Sequence, residues 1–562
     1  MKKNILFLLS IFTITTSIAQ NPYRSPLGIP LILSANFGEL RPNHFHSGVD
    51  LKTERVVNKP VYAMADGYIS RISISPSGYG LALYIDYPAT GQTSVYGHLN
   101  KYAPKIAEYA KGKQYENENF RLDVTLNAHE IPVKRGELVA YSGNTGSSGG
   151  PHVHFEIRNS ADQVAIDPLE YYKDVINDTQ APLIKGIAIY PLNEKGAVDF
   201  SRDTYRKRIT VLKDGSYSAL KDTVQVWGQI GIGVNTNDKM NGTTNIYGVR
   251  RVRLFCDDKE IFSSDLSNVD FSKTRMINSM TDFDYWYRNR IFYEKSFIEP
   301  GNKLSIYKSV NNGYIDIKEE RIYNLRYELE DIYGNQTDYS FCVKGREQTI
   351  PQKRRCTQMM KWNQDNEYSS DLFSLNIPKE YLYDDICFML NSYPSAKYLS
   401  DLFEVNDTYI PLHDYCNMTI KLNKDSLSNK SQYGIVRING NKENWIGGTY
   451  NDSHITGRIR ELGGTYTIST DTKAPVITPV QPERWTRQAE IKIKLSDDKS
   501  GISSFKGTID GSFALFENDV KSPVYSYKFD PERLKKGQVH KLVFTATDAC
   551  GNTSSYEYEF KY

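Results

Sequence analysis

Along most of the chain, apolar and polar residues alternate in short runs broken by Gly, Asn and Asp clusters, the pattern of strands that bury one face. In the first third, Pro60 to Ala65, Gly67 to Ile74 and Leu81 to Asp86 are predicted strands, joined through Asp66-Gly67 and the turn Ser77-Gly78-Tyr79-Gly80. The stretch from Tyr102 to Asn119 breaks this pattern. It is charged, its apolar residues Ile106, Tyr109 and Ala110 have helical spacing, and it is predicted to be a helical excursion that either caps a groove or lies on the surface.

The later text contains an internal repeat. Asp178-Thr179-Gln180-Ala181-Pro182-Leu183-Ile184 is echoed by Asp471-Thr472-Lys473-Ala474-Pro475-Val476-Ile477, Gly248-Val249 by Gly501-Ile502, and Asp331-Ile332-Tyr333-Gly334-Asn335 by Asp548-Ala549-Cys550-Gly551-Asn552. Two copies of one β-sandwich module of Ig-like type are expected, at 178–347 and 471–562. The Ala-Pro pair suits an edge strand, and the Gly-Asn pair a tight turn with φ above zero. Between the copies, 351–468 is β-rich and has no repeat partner.

A chain of 562 residues exceeds one hydrophobic core, in keeping with several domains. With 69 basic and 67 acidic residues the net charge is +2, and no basic block is present, so nucleic acid is excluded as an expected partner. Met1-Lys2-Lys3, the apolar run Ile5 to Ile14 and Ser17-Ile18-Ala19 read as a secretory signal over 1–19. No later segment has about twenty successive apolar residues, so no transmembrane segment is expected after its removal. The mature protein is expected to be exported, to the periplasm, the cell envelope or the exterior. Six cysteines, all in the later two thirds, permit either disulfides or small buried thiols, and their spacing assigns no pairing.

Six of the nine histidines precede residue 155, which places the chemistry in the first domain, 20–172. Zinc hydrolases need about three His or carboxylate ligands and one open position. His46-Ser47-Gly48-Val49-Asp50 supplies a His and an Asp four apart, with Gly48 expected to provide backbone freedom between them. His152-Val153-His154 supplies two His on one face of a predicted strand, where one can bind metal while the other reaches a bound water. His129-Glu130 does not open a HExxH motif, because Val133 stands where the second His belongs and Pro132 interrupts any helix, so His129 is expected at the surface. The loop Gly143 to Gly150 is no phosphate loop, since it lacks the Gly-Lys-Ser/Thr ending; it is expected to form a groove wall.

These motifs, together with Phe37-Gly38, Ala65-Asp66-Gly67, Tyr96-Gly97-His98-Leu99, Gly136, Val139, Gly143, Gly146 and Phe155-Glu156, make residues 37–158 resemble the lysostaphin-type zinc metallopeptidases, which cleave peptidoglycan peptides. The resemblance implies an antiparallel β-sheet metallopeptidase core with a groove, one zinc ion bound by His46, Asp50 and His154, and His152 and His98 as catalytic histidines. The fold class expected for the whole chain is therefore mostly β, this core followed by β-sandwich accessory domains. Zinc brings the pKa of a bound water to about 7. His152, on the face of His154, is the expected general base, with His98 orienting the water or stabilising the oxyanion, although spacing leaves the proton's destination open between them. His44 is expected to line the groove or to support the ligands from behind. The expected function is endopeptidase cleavage of cell-wall cross-links, at a D-alanyl-diaminopimelate or an oligoglycine bridge according to the wall. The competing readings are a non-catalytic envelope protein that binds wall or activates another wall hydrolase, and a zinc peptidase acting on proteins outside the wall.

Overall fold

The alternating runs of the first third do form strands, and their burial sets the frame of the first domain. The computed structural model describes residues 23–220, 224–350 and 356–562; the expected signal at 1–19 lies outside the described residues. The strands β1 (Leu33–Ala35), β2 (Val49–Lys52), β3 (Gly67–Ile74), β4 (Leu81–Tyr87), β5 (Gln92–Leu99), β6 (Leu122–Thr125) and β7 (His152–Asn159) assemble in the order β1-β2-β7-β5-β4-β3-β6. Every pairing along this path is antiparallel. The strand expected from Pro60 to Ala65 stops at Tyr62, where its pairing with Leu138–Tyr141 shifts register, and it belongs to a separate three-stranded sheet.

Period-two alternation divides β7 cleanly. Val153, Phe155 and Ile157 are all 0% exposed and enter the core with Val49, Leu51, Tyr96 and Leu99. His152, His154, Glu156 and Arg158 alternate with them on the other face. A strand this deep in the sheet puts that polar row where few water molecules can solvate it, so each member needs a partner.

The excursion predicted between Tyr102 and Asn119 is the helix α1 (Pro104–Glu116). It packs against the end of the chain: Lys111 pairs with Asp530 at 2.8 Å, the Arg533 guanidinium lies 3.5 Å from the centre of the Tyr115 ring, and Tyr115 meets Phe513 edge-on at 5.8 Å. The same C-terminal segment holds the Gly-rich loop. Gly146 N donates to Asp519 Oδ2 at 2.9 Å, Lys521 Nζ donates to Asn144 O at 2.7 Å and also to Gly146 O, and Val520 N donates to Pro76 O at 2.8 Å.

Beyond the first domain the chain builds three further β cores. Leu183–Val198, Val224–Asn237, Arg251–Cys256, Ile322–Glu330 and Gln336–Gly345 belong to one ten-stranded sheet around Ile187, Val226, Leu254 and Tyr327. The region 356–470 is dominated by the long pair Leu402–Lys421 and His454–Thr470. The last segment holds a three-stranded and a four-stranded sheet around Trp485, Ile493 and Phe544. Among the described residues one disulfide is present, Cys356–Cys387, while Cys256, Cys342, Cys416 and Cys550 are free.

The repeat seen in sequence has a common structural core. In both copies the Asp-x-x-Gly-Asn turn is closed by its own side chains: Asn335 Nδ2 donates to Asp331 Oδ2 at 2.8 Å and Asn552 Nδ2 to Asp548 Oδ2 at 2.7 Å. The same amides reach back to the opening Asp of each copy, to Asp178 O and Asp471 O. Gly334 and Gly551 have φ of 85° and 82°, as the turn requires. Pro182 and Pro475 each stand one residue before the first strand of their copy.

The C-terminal grip on the Gly-rich loop is testable. Lys521→Ala removes two donors to the loop carbonyls, and amide exchange across 143–147, followed by mass spectrometry, is expected to accelerate about 2- to 10-fold, the scale of one or two hydrogen bonds. Unchanged exchange there would show that the contact does not restrain the loop.

Candidate metal centre

The register of β7 assembles the site. His154 stands directly opposite Asp50 on β2 and opposite Gly97 on β5, so ligands 104 residues apart in sequence become cross-strand neighbours. His46 arrives from the loop before β2. That loop is braced from outside the domain: Phe37 and Phe45 are buried with Leu266, Met276, Ile277 and Tyr383, and Phe45 N donates to Thr274 Oγ1 at 2.8 Å. Gly48 is needed for close approach, not for the backbone freedom expected of it: a Cβ there would lie 2.3 Å from Phe155 O.

His46 Nε2, His154 Nδ1 and Asp50 Oδ1 lie 3.0–3.1 Å from one another, and all three side chains are buried. The outward nitrogens define which inner atoms carry lone pairs. His46 Nδ1 is 2.6 Å from Asn36 O, and His154 Nε2 is 2.8 Å from Glu156 Oε1; both outer nitrogens donate, so both inner ones present lone pairs beside the Asp50 carboxylate. Three acceptors facing one point repel unless a cation or proton stands between them. Ligand atoms 2.0–2.1 Å from one tetrahedral ion stand about 3.3 Å apart, so this donor set fits a single zinc-type metal.

Charge around the triad is arranged to favour such an ion. Burial would raise the pKa of Asp50, but His46, His152 and His154 outweigh it and hold this carboxyl well below its ordinary range. Burial likewise opposes ionisation of Glu156, yet Arg158, 2.5 Å away, and His154 keep it ionised far below the usual carboxylate range. In the metal-free protein, burial disfavours a charged His154, but Asp50 and Glu156 prevail and raise its pKa to about 9.

The two remaining histidines face the triad from the loop side. His152 Nδ1 lies 2.8 Å from Gly150 O, while its Nε2 is buried without a hydrogen-bond partner, 3.4 Å from Asp50 Oδ1. His98 Nδ1 lies 2.8 Å from Thr145 O. In a regular pleat His98 would turn away from His154, because Gly97 already takes the face opposite it; a left-handed φ of 57° at His98 breaks the alternation, and its ring centre comes within 4.8 Å of that of His152. Burial, with the neighbouring His154 and His152, lowers the pKa of His98 to about 3, so it is neutral across the physiological range. The loop 143–150 therefore supplies the carbonyls that hold both rings.

His44 is exposed and its Nδ1 lies 2.9 Å from Pro42 O, outside the triad, and His129 is exposed as expected. Several residues that build the site escaped the sequence reading. Glu156 shares the face of His154 at two-residue spacing, a local cue to its role behind that ligand. Arg158, two residues further along the same face, carries the same cue and reaches Glu156 from its other side, whereas Tyr79 and Asn36 had none: Tyr79 stacks on His154 at 5.0 Å and donates to Glu156 Oε1 at 2.5 Å.

Comparison with known proteins agrees with this geometry. A family model described as peptidase family M23 matches residues 112–168, which include the Gly-rich loop, His152 and His154, and one described as a Zu5-like domain matches 357–471. An uncharacterized metalloprotease of Haemophilus influenzae is 32% identical over 132 residues, 24% of this chain and 21% of that protein. The DD-carboxypeptidase/endopeptidase Mpg of Neisseria meningitidis is 31% identical over 113 residues, 20% of each chain. The chain thus spans about a fifth of the length of these curated relatives. The catalytic domain of lysostaphin from Staphylococcus simulans matches over 25% of this chain and 89% of its own, at 24% identity and a TM-score of 0.19. With its His/Asp/His triad of the kind typical of lysostaphin-type peptidases, the chain carries an M23-family peptidase-like domain.

Proposed function

We propose that the first domain is a zinc endopeptidase that hydrolyses peptide cross-links of peptidoglycan after export from the cytoplasm. The observation that carries this reading is the convergence of His46 Nε2, His154 Nδ1 and Asp50 Oδ1 at 3.0–3.1 Å, with the lone pairs of both histidines aimed inward by the partners behind them. These three residues would hold the ion. When bound, zinc supplies Lewis-acid polarisation of the scissile carbonyl and acidifies water. The substrate class comes from the resemblance of this domain to Mpg and lysostaphin. The accessory β domains, two of them Ig-like in this reading, brace the ligand loop and the Gly-rich loop.

The roles of the two catalytic histidines differ by hydrogen bonding. His152 donates through Nδ1 to Gly150 O, which leaves the Nε2 lone pair free beside the triad to take a proton. His98 donates through Nδ1 to Thr145 O and is neutral, so its Nε2 can accept from a water and orient it, but has no hydrogen to give to an oxyanion. This favours orientation over oxyanion stabilisation for His98 and the proton-accepting role for His152.

Two measurements test this reading. In purified full-length protein, His46→Ala is expected to lose zinc, whereas His152→Ala is expected to keep it and to release cross-linked muropeptides about 10²- to 10⁴-fold more slowly, the usual contribution of a general base. Stoichiometric zinc in the wild type with no cleavage of any wall preparation would favour the non-catalytic, regulatory reading instead. The second measurement concerns protons. The pKa of His154 is raised in the folded metal-free protein from 6.5 to about 9, so its proton stabilises that form fully below 6.5 and the stabilisation is lost as pH rises through about 9. Zinc must displace this proton. In the metal-free protein the His154 imidazole, followed by NMR, is expected to be protonated at pH 7 and to lose its proton with a midpoint near pH 9, and zinc added at pH 7 is expected to displace it; a neutral His154 at pH 7 without zinc would refute the assignment.

A further inference from the structure

A second convergence of acceptors lies where the peptidase core meets the first accessory sheet. Asp178, Asp238 and Asp331 are 5%, 3% and 5% exposed and offer oxygens within 4.8 Å of one another. They line a cavity of about 20 Å³, together with Asp167 and Arg250. Arg250 is already engaged, at 2.9 Å by both Glu170 and Asp265 and at 3.8 Å by Asp167. Among the described residues no Lys, Arg or His forms an ion pair with any of the three aspartates. Four buried carboxylates therefore share the surroundings of one guanidinium.

The hydrogen bonds show which oxygen lacks a partner. Asp178 Oδ1 accepts from Thr179 N, Gln180 N and Asn241 N at 2.8, 3.1 and 3.1 Å, while its Oδ2 is buried with no partner at all. Asp331 is fixed by Tyr333 N and Asn335, and Asp238 Oδ1 accepts only from Lys239 N.

We propose that Asp178, Asp238 and Asp331 form a calcium site in the first accessory module, in a cavity that Asn36, Phe37 and Asp167 of the peptidase core also line. The donors are all carboxylate oxygens, which suits calcium rather than a metal that prefers nitrogen or sulfur. Ca–O bonds of 2.3–2.6 Å allow ligands up to about 5 Å apart, and the cavity has room for one ion. The second copy of the repeat keeps Asp471 and the Asp548–Asn552 turn, but its third carboxylate, Asp497, is only half-buried and the adjacent Asp498 pairs with Lys473, so the proposal is confined to the first copy. The position carries a consequence for the metal centre. Gly248, which also lines the cavity, exchanges two hydrogen bonds with the Asn36 side chain at 2.8 and 2.9 Å, and Asn36 O is the acceptor that orients His46. An ion here braces the backbone from which His46 is aimed.

The test uses full-length protein stripped of metals with EDTA, dialysed, and titrated with calcium chloride, read by calorimetry and by melting temperature, alongside Asp238→Asn and His46→Ala. One calcium is expected to bind wild type and His46→Ala, raising Tm by about 5 °C at a hundredfold excess over Kd, with no rise in Asp238→Asn. Without calcium, Asp238→Asn is expected to melt at or above wild type, because a neutral amide relieves the carboxylate repulsion; Asp178→Asn should behave likewise. The proposal is overturned if wild type binds no calcium, if Asp238→Asn retains the full shift, or if the shift vanishes in His46→Ala. It also fails if both Asn variants melt well below wild type in the absence of calcium, since the repulsion it assumes would then be missing.

Discussion

Three acceptor atoms held 3.0–3.1 Å apart in a buried setting are the constraint on which the rest of the first domain depends. Their lone pairs repel, so the arrangement persists only if the scaffold forces it and a positive charge relieves it. The force comes from cross-strand register: His154 and Asp50 are paired residues on β7 and β2, and a slip of one residue would turn His154 into the core and Phe155 out of it. The apolar face of β7, fully buried through Val153, Phe155 and Ile157, therefore sets the position of the ligand row as firmly as any polar contact does.

Around that centre each polar group is oriented by the next. Glu156 accepts from His154, Ser47 and Tyr79 at one oxygen and from Arg158 at the other, so a fully buried carboxylate is satisfied on both sides. The carbonyls of Thr145 and Gly150 do the same for His98 and His152. Those carbonyls belong to a loop that Asp519 and Lys521 hold from the far end of the chain, and the loop carrying His46 is packed by residues 266–280 of the first accessory region. The accessory domains thus act on the geometry of the site, which gives them a structural role whatever else they bind.

The His46–Asp50–His154 and Asp178–Asp238–Asp331 clusters follow one physical rule. Buried acceptors without donors mark where a cation is wanted, and the donor type separates the candidates: imidazole and carboxylate at the first, carboxylates alone at the second. Arg158 compensates the buried charge beside the first site, whereas the one guanidinium at the second is divided among Asp167, Glu170 and Asp265.

The resemblance to lysostaphin-type peptidases grouped His46, Asp50, His98, His152 and His154, and alternation and local motifs were enough to determine that the chain is mostly β, where β3 and β4 run, that 102–119 contains a helix and that one set of motifs occurs twice. These features are encoded within a few residues of themselves, as period, turn chemistry or ligand spacing. What sequence could not supply depends on segments far apart in the chain. The shared register of β2, β5 and β7, the left-handed backbone at His98, the partners Asn36 and Tyr79, the docking of α1 on the last module, and the Cys356–Cys387 pairing are all of this kind. So is the meeting of Asp178, Asp238 and Asp331, since the repeat motifs that contain Asp178 and Asp331 do not show that the two meet each other or Asp238. Only packing decides such contacts, because burial and pairing energies are properties of the assembled sheets rather than of any short stretch of sequence.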